Sequence, residues 1–191
     1  MQTRLKNRKE QIISTALELL KTHGYENFSY LDIANQLGIT KASIHHHFPK
    51  KPDLGVALCE AIQTWHKVEF GKILMMKSDA KAKLAIYING MHRFACAKNK
   101  ICPLSSLQAD ITLLPEEMRL ALKKLDEQEL TFIAQILQQG LDEGIFHFDG
   151  NTQSQAILVV LACKGALQYS RVHGNTIFEE TITQLNLLLA V

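Results

Sequence analysis

Residues 29–48, SYLDIANQLGITKASIHHHF, constrain this chain more than any other stretch. Ser29 is a good N-cap, Asp32 fills the third helical position after it, and Ile33, Ala34 and Leu37 return on one helical face. Gly38 ends that first segment, because the turn needs a positive φ that glycine adopts without strain. Thr40 follows at once as a second N-cap, opening Lys41 to His47. Pro49 disfavours helix in the residue before it, so Phe48 closes the segment. Two short helices are thus forced to cross at Ala34, where a larger side chain would push them apart.

Two short helices around a Gly-containing turn define a helix-turn-helix. Ile33, Leu37, Ile39 and Ile44 pin the second helix to the first and to a longer preceding helix. That preceding helix runs from Asn7, with Glu10 completing a capping box, to His23. Its apolar face is Ile12, Ile13, Ala16, Leu17, Leu19 and Leu20, and Gly24 stops it. Helical periodicity continues beyond the motif with little strand alternation. A long helix opens at Lys51-Pro52-Asp53 and reaches about Met76; further helices are predicted near 79–97, 104–110, 115–143, 152–172 and 176–190. The fold class is all-α. The organisation is a helix-turn-helix head over residues 1–51 and a larger helical body over residues 52–191.

Net charge becomes informative once it is divided along the chain. The whole carries 21 Lys and Arg against 19 Asp and Glu. Residues 1–51 hold eight bases (Arg4, Lys6, Arg8, Lys9, Lys21, Lys41, Lys50, Lys51) and four acids (Glu10, Glu18, Glu26, Asp32), a balance of +4 before histidines. The rest is −2. A basic head on a slightly acidic body points to nucleic acid at one end. The charged start, MQTRLKNRKEQ, lacks the apolar stretch of a signal peptide, and no apolar run is long enough to span a membrane. Cys59, Cys96, Cys102 and Cys163 are scattered without a CxxC pair. They read as reduced thiols of a cytoplasmic protein, with no metal and no cofactor implied.

Thr40, Lys41, Ala42, Ser43, His45, His46 and His47 remain at or near the free surface of the motif. They are short, polar or cationic groups at the leading end of a helix that the major groove can accept. Consecutive helical residues are about 100° apart, so three adjacent histidines do not face one metal ion.

The stretch from Arg8 to Leu58 resembles the TetR family of one-component transcriptional regulators. The matching places are Ser29, Ile33-Ala34, Gly38, Thr40, Phe48, Lys51 and Asp53-Leu54. His45 departs from the pattern, which usually has Tyr there. The resemblance implies that Thr40, Lys41, Ala42 and Ser43 meet base edges or adjacent backbone of double-stranded DNA. It implies that Ser29, His45, His46 and Lys51 hold phosphates, with Arg4, Lys6 and Arg8 reaching the duplex as a flexible arm. It further implies a homodimer through residues 152–190 on a palindromic operator, released by a small-molecule or electrophile inducer.

In the body, Trp65, His66, Phe70, Met91, Phe94, Leu104, Leu107, Phe132 and Ile136 are candidates to line an inducer pocket, each of them equally able to be plain core. The segment AKNKICPLSSLQADITLLPEEMRLAL resembles a TetR subgroup in which some members sense electrophiles through a Cys at this place. Cys102 follows Lys98 and Lys100, and nearby cations activate a thiol. The residues 156–169 of the next-to-last helix are apolar on nearly all sides, as a helix covered by its own core and by a partner would be. A competing reading is a thiol-dependent enzyme using Cys102 with a histidine such as His92. Against it, the chain has no nucleophile motif and no Gly-rich phosphate loop. Glu116-Glu117 and Asp126-Glu127-Glu129 read as exposed faces. A non-specific DNA-packaging protein is disfavoured by the large acidic body.

Overall fold

In a computed structural model, residues 2–97 and 100–189 are described, the side chains of residues 2–7 and 95 excepted. Nine helices make up the fold among the described residues, and they fall at the places that the periodicity predicts. They are α1 (Gln2–His23), α2 (Tyr30–Leu37), α3 (Lys41–His47), α4 (Lys51–Met75), α5 (Ala80–Cys96), α6 (Pro103–Ala109), α7 (Glu116–Asp142), α8 (Thr152–His173) and α9 (Thr176–Leu188). No helix among the described residues is long and apolar enough to cross a membrane.

The start of α1 differs from expectation. The helix begins at Gln2, so Asn7 and Glu10 lie inside it and form no capping box at its end. Residues 2–6, QTRLK, are mostly good helix formers with no breaker among them, so propensity carries the helix past the polar Asn7. The backbone of the expected flexible arm is therefore helical; the side chains of Arg4 and Lys6 lie outside the described residues, as does Lys98.

The chain divides into two compact units, residues 1–64 with 102–125, and residues 65–101 with 126–191. The first unit gathers α1, α2, α3, the start of α4, α6 and the start of α7. Its core is Ile12, Ala16, Leu20, Ile33, Ile44, Leu54, Leu58 and Leu107. Helix α6 is bound to α1 by Ser106, whose hydroxyl donates to the Leu20 carbonyl at 3.3 Å. Gly55 lets α4 approach closely: a Cβ there would collide with Met118 of α7 and stand 2.9 Å from the Tyr25 hydroxyl. The second unit gathers the rest of α4 and α7 with α5, α8 and α9. Lys83 is buried there because its ammonium donates to the Leu74 carbonyl and to Gln139 Oε1, both at 2.8 Å.

Candidate nucleic-acid interface and effector core

Backbone capping builds the interface. Ser29 closes a capping box on α2: its Oγ accepts from Leu31 N–H at 3.2 Å, and its own amide donates to Asp32 Oδ2 at 2.7 Å. The Ser29 hydroxyl also donates to Asp32 Oδ2 at 2.8 Å, and these bonds hold the Asp32 carboxyl below its ordinary value. Gly38 takes φ 61°, and its N–H bonds the Ala34 carbonyl. Thr40 Oγ1 accepts from Ser43 N–H at 3.2 Å, which starts α3. Tyr30 then locks the far end of α3, donating its buried hydroxyl to the Phe48 carbonyl at 2.8 Å. Ile44 turns fully inward, which fixes the rotation of α3 about its axis.

That rotation presents Lys41, Ala42, His45 and His46 to solvent, with Ser43 half-buried. Lys41 and His45 are one turn apart on one line, and Ala42 and His46 on the next. The three histidines do not share one environment, although the His46 and His47 rings meet edge-on at 5.4 Å. His45 packs edge-on against Tyr30 at 4.8 Å and donates Nδ1–H to the Pro49 carbonyl at 3.2 Å. His47 is half-buried and is held below its ordinary value, by burial first and then by His46, Lys9 and Arg8.

Two of the expected phosphate ligands are occupied within the unit. The Ser29 hydroxyl is spent on its cap, beside the Asp32 carboxylate. Lys51 is half-buried, with its ammonium over the Tyr25 and Phe28 rings at 4.7 and 5.0 Å and 3.4 Å from the Glu26 carbonyl. Burial lowers its affinity for its proton. These two groups brace the head.

The expected pocket residues divide between the units. Cys102 and Leu107 are buried in the first. In the second, His66, Phe70 and Phe132 form a stacked column: His66 on Phe70 at 4.5 Å, Phe70 on Phe132 at 4.0 Å. Tyr87 tilts against Phe132 at 6.1 Å. Met91 is buried in the same unit and Phe94 half-buried. Trp65 is 60% exposed and meets the column only at His66, 5.5 Å between ring centroids, because α4 turns it outward while turning His66, the next residue, inward. Cys102 lies in the first unit and His92, its partner in the enzyme reading, in the second.

A buried ionic cluster beside the column escaped the sequence reading. Lys164 Nζ lies 2.8 Å from Glu129 Oε2 and 3.6 Å from Asp126 Oδ1, and Tyr87 donates to Glu129 Oε1 at 3.1 Å. Glu129 is only 4% exposed, so its assignment to a solvated face is wrong. Buried charges are tolerated when paired, which is what Lys164 supplies. The signal was present: a lone lysine inside the apolar run of α8 demands a buried acid. His66 sits within reach of this field. Burial above all, and then Lys164, pushes its imidazole down to about 4. Its Nδ1 is buried with no hydrogen-bond partner among the described residues.

A capped α2–turn–α3 pair with an outward-facing basic and polar helix is a helix-turn-helix DNA-binding module on an all-helical body. Residues 12–58 match the family of bacterial regulatory proteins, tetR family. A TetR-family regulator from Agrobacterium tumefaciens superposes with TM-score 0.90 at 27% identity, covering 97% of this chain and 99% of that one. The HTH-type transcriptional repressor NemR of Escherichia coli K12 is 24% identical over 83% of this chain and 81% of its own length. The fold is shared with a FadR regulator from Bacillus subtilis solved with stearoyl-CoA, at TM-score 0.70 and 20% identity over 95% and 97% of the two chains. Residues 12–58 thus match the TetR-family model, the chain is similar over most of its length to TetR-family regulators, and it is a DNA-binding transcriptional regulator.

Proposed function

We propose that the chain works as a cytoplasmic homodimeric repressor, setting α3 of each subunit on one half of a palindromic operator and leaving it when an inducer occupies the second unit. The observation that carries the dimer is the surface of α8. Its inner side buries Ala156, Val159, Val160, Cys163 and Ala166, while Leu158, Leu161, Tyr169 and Val172 stand exposed on another line. Gly165 lies on that exposed line, and a Cβ there would meet nothing within 4 Å. Its own subunit has no use for a glycine at that position; a second helix crossing closely does. A shallow apolar groove between α8 and α9, lined by Leu158, Ala162, Ile177, Leu185 and Leu188, continues the same surface.

Thr40, Lys41, Ala42, Ser43 and His46 are the residues we assign to the operator. His45 is left out of that set because its Nδ1 is committed to the Pro49 carbonyl. We assign the inducer to the column of His66, Phe70 and Phe132 with Met91 and Phe94, where aromatic faces and the unpartnered His66 Nδ1 offer apolar and polar contact together. The repressor name of the Escherichia coli relative and the acyl-CoA in the Bacillus subtilis fold relative support release by a small ligand. Release requires that the inducer favour one arrangement of the body, and its effect is bounded by that difference in affinity.

The test is a gel shift on palindromic DNA upstream of the chain's own gene, with sizing of the free protein. A dimer is expected, whose affinity falls linearly in log–log with salt, and Lys41→Ala should reduce the slope by about 1. A monomer in solution, or no retardation at low salt, overturns the proposal.

A further inference from the structure

His66 is the polar member of the aromatic column, and it is only 7% exposed. Nothing among the described residues hydrogen-bonds its Nδ1. A buried polar atom without a partner is costly, and native proteins keep few of them. The N–H or lone pair of Nδ1 lies in the plane of the imidazole. That ring is stacked on Phe70 at 24°, and Phe70 on Phe132 at 6°. A flat ring joined to Nδ1 through a polar group on its edge therefore lies along the layers of the column and shares its stacking. Trp65 meets the same imidazole at a tilt of 52°. It is the exposed ring of the four, so its indole has freedom to move aside while His66, Phe70 and Phe132 stay buried.

Charge restricts what enters. Burial first, and then Lys164, pushes the His66 imidazole down to about 4, so at neutral pH it carries no charge. The Lys164 ammonium is already committed to Glu129 and Asp126, and Tyr87 donates to Glu129 as well. Lys83, the other buried lysine of this unit, is committed to the Leu74 carbonyl and Gln139. A ligand carboxylate or phosphate thus finds no uncommitted buried cation among the described residues, and an anion desolvated without a partner is expensive. A ligand cation meets the Lys164 charge that already opposes a second proton on His66. A neutral polar group meets neither penalty. A neutral imidazole holds one N–H and one lone pair, and a hydroxyl, which both donates and accepts, satisfies Nδ1 in either tautomer.

We propose that the second unit selects neutral hydroxyaromatic ligands, the hydroxyl bonded to His66 Nδ1 and the flat ring packed along the layers of Phe70 and Phe132, a choice of ligand that rests on the inducer reading above. Aromatic acids and acyl anions are discriminated against, because the buried cations of the unit are already paired or capped.

The full-length protein is titrated at neutral pH with 2-naphthol, naphthalene and 2-naphthoate, read by calorimetry and by the fluorescence of Trp65, the one tryptophan of the chain. 2-Naphthol should bind roughly 3- to 10-fold more tightly than naphthalene, as one neutral hydrogen bond allows. It should bind on the order of 10-fold or more above the naphthoate anion. His66→Phe keeps a ring in the column and removes Nδ1. It should bind naphthalene as the parent does and lose the preference for 2-naphthol. Naphthoate bound as tightly as 2-naphthol, a preference that survives His66→Phe, or no binding of 2-naphthol up to its solubility overturns the proposal. The ranking of the three compounds on the parent chain decides by itself if the variant does not fold. Selective binding of 2-naphthol that leaves the operator complex intact in a gel shift supports the ligand class and strikes the inducer reading. Release of the operator by naphthoate and not by 2-naphthol strikes the ligand class and leaves the inducer reading standing.

Discussion

Gly55 occupies a place where one methyl group has no room. Its Cβ would overlap Met118 and press on the Tyr25 hydroxyl, and both neighbours are themselves buried. Gly55→Ala should therefore lose about 1–3 kcal/mol in urea unfolding, as overpacked cores do. Gly71 in the same helix is the control. A Cβ there meets nothing within 4 Å, so Gly71→Ala should gain roughly 0.5–1 kcal/mol from reduced backbone entropy in the unfolded chain. His66 makes a prediction in pH. Its folded value, about 4, lies below its ordinary 6.5, so the unfolded chain binds the proton more tightly. Above 6.5 the group has no effect. As pH falls from there toward 4, stability drops, by about 3 kcal/mol at most at 1.36 kcal/mol per unit. His66→Phe should show a shallower loss of stability across that window in pH-dependent denaturation; a parallel curve would refute the assignment.

Among the elements, α2 and α3 rely on their buried faces, Ile33 and Ile44 above all, and on their caps, because helices of eight and seven residues are too short to persist on propensity. Ser29→Ala removes an N-cap and the partner of Asp32. It should cost about 1 kcal/mol of stability, and weaken operator binding through disorder in α2, without changing the salt slope that phosphate contacts determine. Most of this was legible in advance. Ser29, Asp32, Gly38 and Thr40 act locally, within three or four residues, and the structure finds each in its expected backbone role. Lys51 and Glu129 were not legible, since their partners lie 25 and 35 residues away, at Glu26 and Lys164. Periodicity assigns a face to a residue but does not say which charge waits across it. The α1 start shows the opposite failure: a plausible cap at Asn7 yields when the residues before it also favour helix.

For the molecule as a whole, α8 decides between one thick monomer and a pair. Gly165→Ala should stabilise an isolated subunit by up to about 1 kcal/mol, since its Cβ meets nothing and alanine is the better helix former. In a dimer packed through this line, Gly165→Leu should lower the dimerisation constant and the operator affinity together while far-UV helicity stays the same. Sedimentation and gel shift read the two effects, and a Gly165→Leu protein that stays dimeric excludes this face. The exposed Leu161, Tyr169 and Val172 are apolar groups that a lone subunit leaves in water.

Local chemistry in the chain settled the helices, their order and the DNA-reading motif. Caps, breakers and 3.6-residue periodicity act over a few residues and can be read along a line. Folding settled which side chains meet. Long-range packing turned Trp65 outward and His66 inward, buried Cys102, and brought Asn175 to Cys96 and Glu179 to His92. Those pairings depend on how helices cross in three dimensions, which no spacing along the chain encodes.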